Sequence, residues 1–163
     1  MRWILDANAL IYLIKAHLAD IFIELANNNV VIDSSVYKEA VDDGIVQNHV
    51  DALDLKKFLE RKQVPSIPVD ISNDLGRFKD AGETSCYILA KQDGVCVTSD
   101  TRAIKKYKNE GVPCMQPDIF FLTQFLEKKI DKKRLEDVLD ALIHVRATTA
   151  ERKLEILSTI KQP

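Results

Sequence analysis

Trp3-Ile4-Leu5-Asp6-Ala7-Asn8-Ala9-Leu10-Ile11 is a short apolar run that stops at an acid and passes into a helical pattern. An apolar run uncharged until its last residue predicts a strand buried on both faces. The same arrangement recurs at Val30-Val31-Ile32-Asp33, and Val95-Cys96-Val97-Thr98 leads within two residues to Asp100. Shorter runs at 66–69 and 112–115 bring the expected strands to five. Helical patterns separate them, at 9–14, 17–26, 36–42, 47–61, 80–92 and 101–110, with another at 119–128 after the last strand. Strand alternating with helix implies an α/β fold: a mostly parallel five-stranded sheet with helices on both faces, three layers in all.

Local signals set the expected boundaries. Asn27-Asn28-Asn29 reads as a turn, and Ser34 and Ser35 as capping hydroxyls for the helix at 36–42. Asp42-Asp43-Gly44 reads as the break that ends that helix. Pro65 and Pro68 bracket the third strand, 70–79 reads as a polar loop, and Pro117 opens the helix at 119–128. Beyond Asp131 no strand follows. Two amphipathic helices are expected instead, with Leu135, Val138, Leu139 and Leu142 on one apolar face and Leu154, Ile156, Leu157 and Ile160 on the other. The expected division is therefore a domain at 1–130 and a C-terminal helical extension at 131–163. Isolated helices of this length are marginal in water, so the extension must pack on the domain, on itself or on a second chain.

Composition narrows the function. The 163 residues are 46% hydrophobic and 29% charged, ordinary for a globular domain. The most apolar stretch, Trp3 to Ile14, contains Asp6 and is too short for a membrane span, and the same acid spoils a signal-peptide reading. A net charge of −2 predicts no broad basic surface, so nucleic acid would be held by local patches. Cys86, Cys96 and Cys114 form no C-x-x-C pair, which argues against a zinc ribbon and for a reducing, cytoplasmic setting. Cys96 and Cys114 are expected in the core, with Trp3, Phe120 and Phe121. His17, His49 and His144 are scattered, and no glycine-rich phosphate loop occurs.

The informative feature is where the acids fall. Open parallel sheets bind ligands outside the carboxyl ends of their strands. Asp6 closes the first strand, Asp100 follows the fourth, Glu39 lies on the helix after the second, and Glu83 begins the helix leading to the fourth. If strands one, two and four are neighbours, these four meet at one rim. Clustered carboxylates repel, and a divalent cation removes that penalty. Oxygen ligands without His or Cys favour magnesium or manganese over zinc. The chemistry suggested is metal-dependent phosphodiester hydrolysis. Each acid also has an ordinary explanation: Asp6 and Asp100 as helix caps, Glu83 as a favourable charge at a helix start, Glu39 as a solvent-facing residue.

Four stretches, in order, resemble the motifs of PIN domains: Trp3 to Ile11, Ile32-Asp-Ser-Ser35-Val-Tyr-Lys-Glu39, Asp80-Ala-Gly-Glu83-Thr-Ser-Cys-Tyr-Ile-Leu-Ala90, and Val97-Thr98-Ser-Asp100-Thr-Arg102. The resemblance covers about residues 1–127. It implies a Rossmann-like fold and a magnesium- or manganese-dependent ribonuclease acting on RNA. Asp6, Glu39, Glu83 and Asp100 would be its catalytic and metal-binding acids, with Asn8 and Thr98 orienting them. It further implies the toxin of a VapC-type toxin–antitoxin pair as one role, with an antitoxin protein as partner and a homodimer as the assembly. Two departures stand out. Many members carry a further acid just after the fourth motif, where this chain has Thr101 and Arg102, and the helical tail is longer than in the shortest toxins.

Cations near these motifs are candidates for RNA phosphates: Arg102, Lys105, Lys106 and Lys108 after Asp100, and Arg77 and Lys79 before Glu83. A second cluster, Lys128, Lys129, Lys132, Lys133 and Arg134, reads more simply as a solvated face. The competing function is a catalytically weak PIN-like module that binds RNA or a protein. A haloacid-dehalogenase-like phosphatase is disfavoured, because that chemistry wants an acid where Asn8 stands.

Overall fold

The computed structural model describes residues 1–160. In chain order the elements are β1 (Trp3–Leu5), α1 (Ala7–Lys15), α2 (Ala19–Leu25), β2 (Val30–Asp33), α3 (Ser34–Tyr37), a π-helical turn (Lys38–Asp42), α4 (Asp43–Val46) and α5 (Val50–Lys62). They continue with β3 (Ser66–Ile67), a 3₁₀ turn (Ser72–Asp74), α6 (Ala81–Asp93), β4 (Val95–Val97), α7 (Thr101–Asn109) and β5 (Cys114–Met115). Three helices close the chain: α8 (Pro117–Leu126), α9 (Lys132–His144) and α10 (Ala150–Ile160).

The five strands form one sheet in the order β3-β2-β1-β4-β5, with every pair parallel. β1 is central: Ile4 lies opposite Val31 on one side and Cys96 on the other. The chain builds outward from β1 to β3, then crosses back to β4 on the other side. The strand order therefore reverses between β1 and β4, and that gap is where open α/β sheets bind ligands. This is the expected three-layer α/β architecture. The interior strands are almost wholly buried, with Ile4, Ile32, Cys96 and Val97 fully so.

Proline trims the edges of the sheet. Pro113 has no N–H to donate, and pairing of β5 starts only at Cys114. Pro68 likewise stops β3 at Ile67, short of the expected 66–69. Being on an edge strand also leaves Cys114 only half-buried, unlike Cys86 and Cys96, so the expectation that it lies in the core does not hold.

The helix after β2 departs most from expectation. Asp33, not Ser34 or Ser35, is its cap: the Ser35 N–H and hydroxyl donate to Asp33 Oδ1 at 2.7 and 2.6 Å. Nor does the helix break at Asp42-Asp43-Gly44. It widens into the π-turn and continues as α4 to Val46. Gly44 is a packing residue, since a Cβ there would lie 2.8 Å from the Ala52 Cβ on α5. Glycine is present because two helices meet at that point.

Two aromatic clusters fill the rest. Phe22, Phe120 and Phe121 are fully buried, and Trp3 packs edge-on against Phe120 at 4.9 Å. Phe78, Tyr87 and Tyr107 stack at 4.9–5.2 Å. The face of α9 carrying Leu135, Val138, Leu139 and Leu142 is buried in the same core, against α8. On α10 only Ile156 is buried, whereas Leu154 is exposed. No helix among the described residues is long and apolar enough to cross a membrane.

Candidate active site

The sheet delivers the acids through caps. Leaving β1, the backbone turns extended at Asp6, whose Oδ1 accepts the Ala9 N–H at 2.8 Å and so starts α1. Leaving β4, Asp100 starts α7 in the same way, accepting the N–H groups of Arg102 and Ala103 at 2.8 and 3.2 Å. Thr98 is fully buried behind both: its Oγ1 accepts the Asp100 N–H at 3.1 Å, and its hydroxyl contacts the Asp6 carboxylate. Asp6 N–H in turn donates to Val97 O at 3.2 Å, locking the ends of β1 and β4 together. The capping explanation and the site explanation of Asp6 and Asp100 are thus both true of the same atoms.

Glu83 is placed by a related device. Asp80 Oδ1 accepts the Glu83 N–H at 2.8 Å, while Glu83 Oε2 accepts the Lys79 N–H at 3.3 Å. This reciprocal arrangement resembles a capping box. The Tyr107 hydroxyl, rooted in the aromatic core, donates to Glu83 O at 2.8 Å and pins that turn to α7. Glu39 sits in the π-turn, a deformation of the helix found often at functional sites.

Asp6, Glu39, Glu83 and Asp100 all line one cleft of about 210 Å³, with Asn8 and Asp80 beside them. Gly82 brings backbone close to the acids, since a Cβ there would lie 3.7 Å from Glu39 Oε2. Asp6 is only 8% exposed. Burial pushes its carboxyl up to about 7; Thr98 and the Ala9 N–H hold it down in part, and Asp100 and Glu39 add repulsion. Glu39 and Glu83 are also raised, first by burial and then by Asp80. Lys79 offsets part of the rise at Glu39, and Lys106 part of that at Glu83. Among the described residues, no three Asp, Glu, His or Cys side chains close on a single point as a ready-made ligand shell. The caps explain this: each of three acids has an oxygen turned toward a backbone N–H. The donor set itself is oxygen-only, and the most buried acid has acids rather than a cation facing it, which suits a hard divalent ion.

Two further carboxylates matter. Asp80 reads from sequence only as a cap, yet it also faces the cleft. Asp33 is 1% exposed, its Oδ2 has no hydrogen-bond partner among the described residues, and burial raises its pKa. It anchors α3 and so positions Glu39; its place at the acidic end of β2 was the available signal. Of the candidate cations, Lys79 lines the cleft. Arg77 does not, because Asp74 and Glu110 hold it at 3.0 and 3.1 Å and its guanidinium lies over the Tyr87 ring.

A parallel sheet with its acids gathered where the strand order reverses defines an α/β domain with an acidic cleft at its switch point. A family model described as a PIN domain matches residues 2–159, from the start of β1 nearly to the end of α10, and the chain belongs to that family. PIN domains are in general nucleases. No curated protein and no solved structure gives a significant match.

Proposed function

We propose that this protein is a metal-dependent endoribonuclease. In this reading Asp6, Glu39, Glu83 and Asp100 hold magnesium or manganese and present it to an RNA phosphodiester. The observation that carries it is the arrival of these four acids, from four separate segments of the chain, in one cleft lined by residues that follow β2, β1 and β4 and by the start of α6. When bound, the cation supplies Lewis-acid polarisation of the phosphate and a water of lowered pKa. The protein's part is to hold the acids oriented: Thr98 bridges Asp6 and Asp100, the Asp80 cap fixes Glu83, and the Asp33 cap fixes the helix that carries Glu39. Lys79 lies where it offsets charge on a bound phosphate.

The competing reading, a catalytically weak module that binds RNA or a protein, draws on the absence of a closed ligand shell among the described residues. As a finer role we propose, from the resemblance of the four motifs alone, the toxin of a toxin–antitoxin pair acting in the cytoplasm as a homodimer with an antitoxin partner. The test is incubation of labelled single-stranded RNA with the protein and magnesium, manganese or a chelator. Cleavage is expected with either metal and none with the chelator. RNA bound but left intact in both metals favours the weak module, and cleavage that survives the chelator overturns the metal role.

A further inference from the structure

The surroundings of the acid cleft are asymmetric. On the Glu39 side the acids Asp80, Asp43 and Asp33 act on its charge, and Lys79, reaching over from the loop before α6, offsets them in part. On the α7 side a second cleft, of about 410 Å³, opens directly off the first and shares Lys79, Glu83 and Asp100 with it. Arg102 and Lys106 complete its polar wall. They lie four residues apart on α7, hence on one face, whereas Lys105 and Lys108 do not line either cleft. Lys79 reaches the same space from the loop before α6, so the cations come from two elements separated in sequence.

These three cations differ from their neighbour Arg77, which is consumed by Asp74 and Glu110. Lys79, Arg102 and Lys106 make no ion pair with any described residue, although Glu83 and Asp100 share their cleft. The two carboxylates are instead turned to backbone: Asp100 to its own helix and Glu83 to the Lys79 N–H. Positive charge is left facing an open space large enough for a nucleotide, one step from the acids.

We propose that this second cleft seats a backbone phosphate of a single-stranded nucleic acid next to the phosphate being cleaved, with Arg102 and Lys106 as its main contacts and Lys79 spanning the two clefts. The proposal rests on the reading of the acid cleft as a nuclease site. It adds a polarity: the strand is gripped on the α7 side and only weakly on the acidic Glu39 side. Arg102 can bind a phosphate through two N–H groups at once, while Lys106 acts as a point charge. Binding there is equal in the ground and transition states, so its loss falls on KM more than on kcat.

The experiment uses the full chain and a short fluorescently labelled single-stranded RNA. Anisotropy is followed across a salt series in chelator, and cleavage is measured in manganese. Arg102→Gln and Lys106→Gln are each expected to raise Kd and KM about ten-fold, within the range of a charged hydrogen bond. Each should also flatten the dependence of log K on log salt by about 0.7, one phosphate's worth of counterions for a single strand. The double variant Lys128→Gln/Lys132→Gln, on the separate basic cluster, controls for general charge. Circular dichroism confirms that all variants are folded. A wild type that cleaves while both single variants keep its Kd, KM and salt slope overturns this proposal and leaves the nuclease reading intact. So does an equal loss in the control. A wild type that binds RNA but does not cleave it, with variants that lose binding, supports the phosphate seat and overturns the nuclease. No binding and no cleavage by the wild type overturns both.

Discussion

Asp6 and Asp118 are both buried carboxylates, 8% and 2% exposed, and they are treated in opposite ways. Asp118, at the start of α8, is fully compensated. Arg152 from α10 holds it with two hydrogen bonds at 2.7 and 2.9 Å, and the Thr148 hydroxyl adds a third at 2.6 Å. Asp6 has a backbone N–H and a threonine, but its charged neighbours are acids. A buried ion without a partner is costly, so a fold retains one only where something else offsets it. At Asp118 the offset is built in and ties the last helix to the body. At Asp6 no cation among the described residues supplies it, and in the proposed function a bound metal would.

The sharpest way to break this contrast is Asp6→Asn. Asparagine keeps the shape and can still cap Ala9 but removes the charge. Cleavage of RNA in manganese is expected to fall by more than about 100-fold, beyond the loss typical of a residue that only supports a metal ligand. Full activity in a folded Asp6→Asn protein would sink the assignment. Arg152→Ala is expected to do the reverse: leave cleavage near wild type at low temperature and cost about 3 kcal/mol of stability in urea, because it strands the Asp118 charge. A change under about 0.5 kcal/mol would show that the pair is not what holds α10.

A metal titration should show the missing offset directly. Manganese at a hundred times its Kd is expected to stabilise the wild type by about 2.7 kcal/mol, and Asp6→Asn by much less at the same concentration. The last effect is the pH dependence without metal. Burial raises the folded Asp6 carboxyl from 3.8 to about 7, so between those values the folded chain keeps a proton that the unfolded chain has released. Stability from this group is greatest below about pH 4 and is lost as pH rises through about 7. Metal-free melting curves of wild type and Asp6→Asn should therefore diverge with rising pH, the variant being the more stable at neutrality. Parallel curves would mean that Asp6 is not strained by its surroundings.

How much of this could be seen in the sequence depended on distance along the chain. Apolar runs ending at Asp6 and Asp33, and one followed shortly by Asp100, located three strands and the rim to which they deliver acids. Those signals are local. Asp80 was missed as a cleft acid because a cap and a site residue look the same when one side chain is both. Arg77 could not be separated from Lys79: of the two acids that hold it, Asp74 is local, but Glu110 is thirty-three residues away and next to it only after folding. Gly44 pointed to a break because glycine usually marks one; its partner Ala52 lies on another helix, and only the packing explains it.

The wide turn between Glu39 and Gly44 also bears on how this chain can change over time. A helix advances about 100° per residue, so each residue added or removed rotates everything downstream by that amount. The five-residue π-turn holds one extra residue, and that offset lets a single helical run face Glu39 to the cleft at one end and Gly44 to Ala52 at the other. Loss of one residue between them would turn a side chain into the 2.8 Å gap that only glycine fits, or swing Glu39 out of the cleft. Length between these two points is therefore constrained even where composition is not: a substitution at the exposed Asp42 that keeps the count is tolerable where its deletion is not, while Ala40 and Val41 are held by the core as well.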